Sequence, residues 1–125
     1  MVTATRVPSA TITDDVSIPG RIERITYGNP EATPEVSIVI PTRDGVRRGL
    51  LDQLLEDLQD QTVEAFEVLL VIGDNRQGRA INRGVRQAKS EIIATMDDDT
   101  VLGTPRVLEN LLRVLEDDPS IGMVG

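Results

Sequence analysis

Cysteine and histidine are both absent from the 125 residues. The first absence excludes disulfides, thiolate zinc sites and cysteine nucleophiles. The second excludes imidazole ligands and every Ser-His or Cys-His catalytic pair. Any metal must therefore sit on oxygen ligands, which points to Mg2+, Mn2+ or Ca2+. Tryptophan is missing too, and Tyr27 and Phe66 are the only aromatics, so nucleobases and sugar rings have almost nothing to stack on. Positive charge is scarce: 13 basic residues face 21 acidic ones, for a net charge of −8. That balance repels a phosphodiester backbone, and no nucleic-acid partner is expected. Of the basic residues only Lys89 is lysine, a pattern that fits either a cytosol of high salt or a genome rich in G and C. No apolar run approaches the roughly 18 residues of a transmembrane helix. Residues 1–6 (MVTATR) lack the apolar core of a signal peptide, so a cytoplasmic chain without a transmembrane segment is expected.

What is present is one domain's worth of chain, 13.7 kDa. Residues 1–34 hold four of the seven prolines and no helical periodicity, and read as a flexible N-terminal segment with a short strand around residues 22–27. Residues 35–125 form the domain proper. Val36–Ile40 is a β-branched run closed by Pro41, Phe66–Ile72 a second apolar run and Ile92–Met96 a third. Leucines 50, 51, 54, 55 and 58 recur at helical spacing between the first two runs, and a helix from about Arg79 to Lys89 separates the second from the third. Thr104-Pro105 opens a last helix, an N-cap followed by proline, and residues 121–124 read as a fourth strand at the sheet's edge. This alternation predicts an α/β fold: a mostly parallel, Rossmann-like sheet with flanking helices and right-handed crossovers, its first three strands in the spatial order second, first, third. Ligands in such sheets bind beyond the carboxyl ends of the strands, which selects the loops 42–45, 73–79 and 97–100.

Two of those loops carry chemistry. Asp97-Asp98-Asp99 directly follows an apolar strand, and a divalent cation that also binds phosphate would relieve the repulsion of three adjacent carboxylates; the plainer reading is a solvated acidic turn. Arg76, Arg79, Arg83, Arg86 and Lys89 make the one strongly basic stretch. Its outer arginines read as a solvated helix face, whereas Arg76 and Arg79 stand at a helix N-terminus beside Gly78, where a diphosphate would be favoured. Gly84, on the apolar face of the same helix, reads as a close helix–sheet contact.

Taken together these residues resemble the family 2 glycosyltransferases of the GT-A type over residues 34–125. VSIVIPT at 36–42 is similar to the family's opening strand, LQDQT at 58–62 to the end of its first helix, and GRAINRG at 78–84 with AKSE at 88–91 to its "A-x-N-x-G…A-x-G-E" helix. The strand running into Asp97-Asp98-Asp99 is similar to the one that bears the DxD motif. The resemblance implies a GT-A half-fold that binds a nucleotide-diphosphate sugar, UDP-linked, with Mn2+ or Mg2+. It implies that Asp99 holds the metal, that Asp97 contacts ribose or metal-bound water, that Thr42 lies against the nucleoside, that Asp74 accepts a bond from the base, and that Arg79 is the basic residue ahead of the "A-x-N" helix. The chain departs from the family pattern in having Arg43-Asp44 where Tyr-Asn is usual, Gly73-Asp74 for an acidic pair, and only a few residues between its second strand and Gly78.

In the family the catalytic base lies on later elements that form the acceptor side. The chain is accordingly expected to bind the donor and to need a partner chain supplying the acceptor half for transfer. A non-catalytic, truncated nucleotide-binding or partner-binding module is the alternative. A more distant one is a haloacid-dehalogenase-like phosphatase, whose D-x-D-x-T nucleophile loop residues 96–102 (MDDDTVL) resemble, with Thr100 one place early.

Overall fold

The computed structural model describes residues 2–6, 17–118 and 123–124. Six strands form one sheet: β1 (Val2–Arg6), β2 (Arg21–Tyr27), β3 (Ser37–Thr42), β4 (Phe66–Ile72), β5 (Ile92–Met96) and β6 (Met123–Val124), in the order β2-β4-β3-β5-β1-β6. β3 runs parallel to β4 and β5, while β2 is antiparallel to β4, and β1 is antiparallel to both β5 and β6. β6 thus shares the direction of the three central strands, and the sheet is mostly parallel. The expected order second, first, third holds as β4-β3-β5.

Three helices flank the sheet among the described residues: α1 (Leu50–Gln59), α2 (Gln77–Gln87) and α3 (Val107–Asp117). Their apolar stripes divide between two cores: α1 and α2 lie on opposite faces, as right-handed crossovers on either side of β3 require, and α3 shares the face of α1. Leu51, Leu54 and Leu58 of α1 and Leu108, Leu112 and Leu115 of α3 pack with Ile38, Ile40, Val68 and Leu70 on one face. Ala80 and Ala88 meet Val39, Leu69, Val71 and Ile93 on the other. The alternation along β3 and β4 sends successive side chains to opposite cores, which is why both strands are apolar on both faces through their middles. Gly84 is the close contact expected of it, since a Cβ there would lie 2.4 Å from Val39 Cγ1.

Two expectations are corrected. Residues 1–34, set apart in the sequence as a tail, contribute β1 and β2, and β1 lies between β5 and β6, so β6 reaches the edge of the sheet without touching the central strands. The sheet therefore crosses the boundary drawn at residue 34. Residues 119–122, with the start of the expected fourth strand, lie outside the described residues. Pro41 does not end the first run, because β3 continues to Thr42. β3 pairs with β5 only over Ser37–Val39, so Pro41, which has no N–H to give, falls where one ladder has already stopped. Beyond Val39 the two strands are no longer paired, and a cleft opens at the carboxyl ends of the strands.

Candidate functional site

The cleft, of about 330 Å³, is lined by Pro41 and Thr42 at the end of β3, Arg43 and Arg47 in the turn that follows it, Asp74 and Asn75 after β4, Gln77 at the start of α2, and Asp97, Asp98 and Asp99 after β5. The fold brings together four of the five expected site residues, Thr42, Asp74, Asp97 and Asp99, from loops far apart in sequence. Arg79 is the fifth, and it stands behind the wall rather than in it.

The acidic loop is a tight turn in which the Thr100 N–H donates to the Asp97 carbonyl at 3.1 Å. Asp97 and Asp99 are exposed and Asp98 is buried at 8 % exposure, so the turn presents its outer two carboxylates and withdraws the middle one. Among the described residues no three Asp, Glu, His or Cys side chains converge to form a complete cage. The donor set is nonetheless that of a hard cation held by one or two carboxylates with the remaining positions taken by phosphate oxygens and water, which suits Mg2+ or Mn2+.

Thr42 is 4 % exposed and its hydroxyl accepts from the Gly45 N–H at 3.1 Å, which fixes the turn out of β3. Further along that turn, Asp44 Oδ1 accepts from the Val46 and Arg47 N–H groups, both at 2.9 Å. These bonds, Arg47's first, hold the Asp44 carboxyl below its ordinary range. Arg47 and Arg48 have φ of 48° and 56°, a left-handed conformation that costs a non-glycine residue about 1–2 kcal/mol. From this turn Arg47 reaches across the cleft, donating to Asp99 Oδ2 at 3.2 Å and standing 3.8 Å from Asp98 Oδ1.

Asp74 lines the cleft, but its side chain is fully buried among its own partners. Arg79 grips it through Nε (2.9 Å to Oδ2) and through an Nη donor (2.8 Å to Oδ1), Arg83 donates to Oδ2 at 3.1 Å, and the Arg76 N–H donates to Oδ1 at 2.9 Å. The Arg79 bonds above all hold its carboxyl far below the usual range. Its lone pairs are taken up within the chain, so the anion beside the start of α2 is the protein's own. The arginine face read as solvated is correspondingly split. Arg86 is exposed, whereas Arg83 is 2 % exposed and also donates to the carbonyls of Pro19 (2.6 Å) and Gly20 (3.4 Å). Those carbonyls arrive with the start of β2, and a helical wheel contains no trace of them. Asn82 is exposed on α2 and does not line the cleft.

The sequence reading did not single out Arg47. The signal available was a second cluster of arginine, Arg47-Arg48, in the loop after the first strand, with a glycine on either side. No aromatic ring lines the cleft, because Tyr27 and Phe66 stack on each other at the far end of β4 with centroids 4.5 Å apart. Lys89, the only lysine, precedes β5 and so lies at the opposite end of that strand from Asp97. This placement argues against the phosphatase reading, which needs a lysine at the nucleophile loop. No described helix is long and apolar enough to cross a membrane. Comparison with curated proteins and with solved structures gives no match. Residues 73–125, which span α2, β5, the acidic turn and α3, match the family model for glycosyl transferase family 2.

Proposed function

We propose that the cleft binds a nucleotide-diphosphate sugar, UDP-linked, and that the chain is the donor-binding part of a glycosyltransferase. The observation that carries this reading is the convergence of Thr42, the β4–α2 loop and Asp97–Asp99 on one cleft at the carboxyl ends of three parallel strands. Asp99, with Asp97, would hold Mn2+ or Mg2+, and the metal would supply positive charge to a leaving diphosphate. Thr42 and the backbone around Asp74 face the nucleoside, and Asp74 serves by fixing Arg79 and the loop rather than by meeting the base with its carboxylate.

Transfer further requires a base to take the proton of the acceptor hydroxyl. The carboxylates lining the cleft are Asp74, saturated by arginines, and the three of the acidic turn, which have the metal to hold. That inventory favours donor binding by this chain, with the acceptor side and its base supplied by a partner chain; a binding module without transfer is the second reading on the same observation.

Calorimetry tests the donor site that both readings share, and a transfer assay separates them. UDP is expected to bind in the presence of Mn2+, to release no heat in chelator, and to lose binding in Asp99→Asn, an exposed position where the change leaves folding intact. Equal UDP affinity with and without chelator would overturn the metal bridge. A radiolabelled UDP-sugar incubated with the purified chain should show slow hydrolysis at most, with transfer appearing when lysate from its source is added.

A further inference from the structure

We infer that Arg47 is a resident counter-ion of the acidic turn, exchanged for the divalent cation on loading and then available to the diphosphate; this rests on the donor-site reading above. The guanidinium stands 3.2 Å from Asp99 and 3.8 Å from Asp98, and it reaches them from the opposite lip of the cleft. It thus stands where a cation on Asp99 would have to compete with it.

The pair is built to be exchanged. Arg47 is 53 % exposed and Asp99 42 %, so water screens the attraction and little is lost when the pair opens. The backbone beneath is held in an unusual shape: Gly45, Arg47, Arg48 and Gly49 all have positive φ. Non-glycine residues stay in that region only where surrounding bonds impose it. Here the imposing bonds are those from Val46 and Arg47 to Asp44, which aim the Arg47 side chain at the turn after β5. An arginine is suited to the second half of the exchange as well, since its planar fork matches phosphate oxygens.

A divalent ion on Asp99 and an arginine released beside it would neutralise a diphosphate from two sides. The same side chain therefore opposes metal binding alone and supports binding of metal with nucleotide. These effects have opposite signs, which a merely structural role does not produce.

The experiment compares the full-length chain with Arg47→Ala, Arg47→Gly and Arg47→Lys, each shown by circular dichroism to be folded; Arg47→Gly also relieves the left-handed backbone. Mn2+ binding without nucleotide is followed by the spin-resonance signal of free Mn2+, and UDP binding at saturating Mn2+ by calorimetry. Arg47→Ala and Arg47→Gly should bind Mn2+ about three- to fivefold tighter, the size of an exposed ion pair. They should bind UDP with Mn2+ roughly tenfold weaker, the size of a lost charge-assisted hydrogen bond. Arg47→Lys should stay near the parent in the first measurement. Unchanged or weaker Mn2+ binding in both truncations overturns the role of Arg47 while leaving the donor site standing, provided the parent binds Mn2+ and UDP. A parent that binds neither overturns the donor site, and the inference with it.

Discussion

Asp74 carries more of the molecule than its place in a loop suggests. Its side chain is fully buried with Arg83 at 2 % exposure beside it, and a buried charge is tolerable only when its partners are in place. The three donors on it, Arg76 N–H, Arg79 and Arg83, tie the end of β4 to the first turns of α2, and Arg83 extends the tie to the start of β2 through Pro19 and Gly20. Removing the charge strands both guanidinium groups, so Asp74→Asn is expected to cost about 3–5 kcal/mol at neutral pH. The sign with pH follows from linkage. The native carboxyl is held below its unfolded value of about 3.9, so its contribution is complete above that value and is lost as pH falls through the native one. Urea midpoints of parent and variant should therefore differ fully at pH 7 and begin to converge only as pH falls below about 4, closing as it approaches the native value. A difference that stays constant into acid would show that packing rather than charge is what Asp74 supplies.

At the scale of elements, sequence motifs turn into joints. Gln61, just past α1, donates through Nε2 to the Thr104 carbonyl at 2.9 Å and accepts from the Leu108 N–H at 3.1 Å, while the Thr62 N–H donates to the Pro105 carbonyl. The amide thus satisfies one of the orphan donors in the first turn of α3, the service an N-cap side chain gives. Thr104, expected as that cap, instead accepts from Arg106 N–H at 3.3 Å one turn ahead of the helix. Gln61→Ala should lower stability by about 1–2 kcal/mol, and thermal melts would show it; Thr104→Ala should cost clearly less. Helices and central strands were legible because each has its own period, and the acidic turn because it interrupts an apolar run. Glu67 was not, although the clue was present: a lone acid in FEVLLVI, all seven of whose positions are buried, must have partners. It accepts from Ser37 Oγ at 2.6 Å, from the Lys89 N–H at 2.7 Å and from Arg24, which also donates to the Gln87 carbonyl. β2, β3, β4 and the exit from α2 meet on that carboxylate, and no local pattern names those partners.

The whole molecule places its chemistry by strand order and closes its sheet with distant sequence. The order β4-β3-β5 was legible from local apolar patterns and the crossover rule, and these three strands set Thr42 and Asp99 on one cleft. β1 was illegible because VTATR is short and polar and its partner lies most of the chain away, Val2 opposite Met96 and Ala4 opposite Ala94. It nevertheless covers the open side of β5, buries Ala4 at 1 % exposure, and is the strand on which β6 pairs. Deleting residues 1–6 should therefore remove two strands from the sheet, not one. The lost apolar contact of Val2 and Ala4 with the main core is worth about 2 kcal/mol or more, a sizeable share of a small domain's stability. The uncovered β5 edge would offer its free N–H and C=O groups to another chain. We expect a lower urea midpoint, faster hydrogen exchange at the Ile92–Met96 amides and concentration-dependent association in sedimentation. Because the cleft is built from the other side of β5, Mn2+-dependent UDP binding should persist at concentrations where the shortened chain is folded and monomeric. An unchanged midpoint with β5 amides still protected would mean that β1 rests on the sheet without holding it.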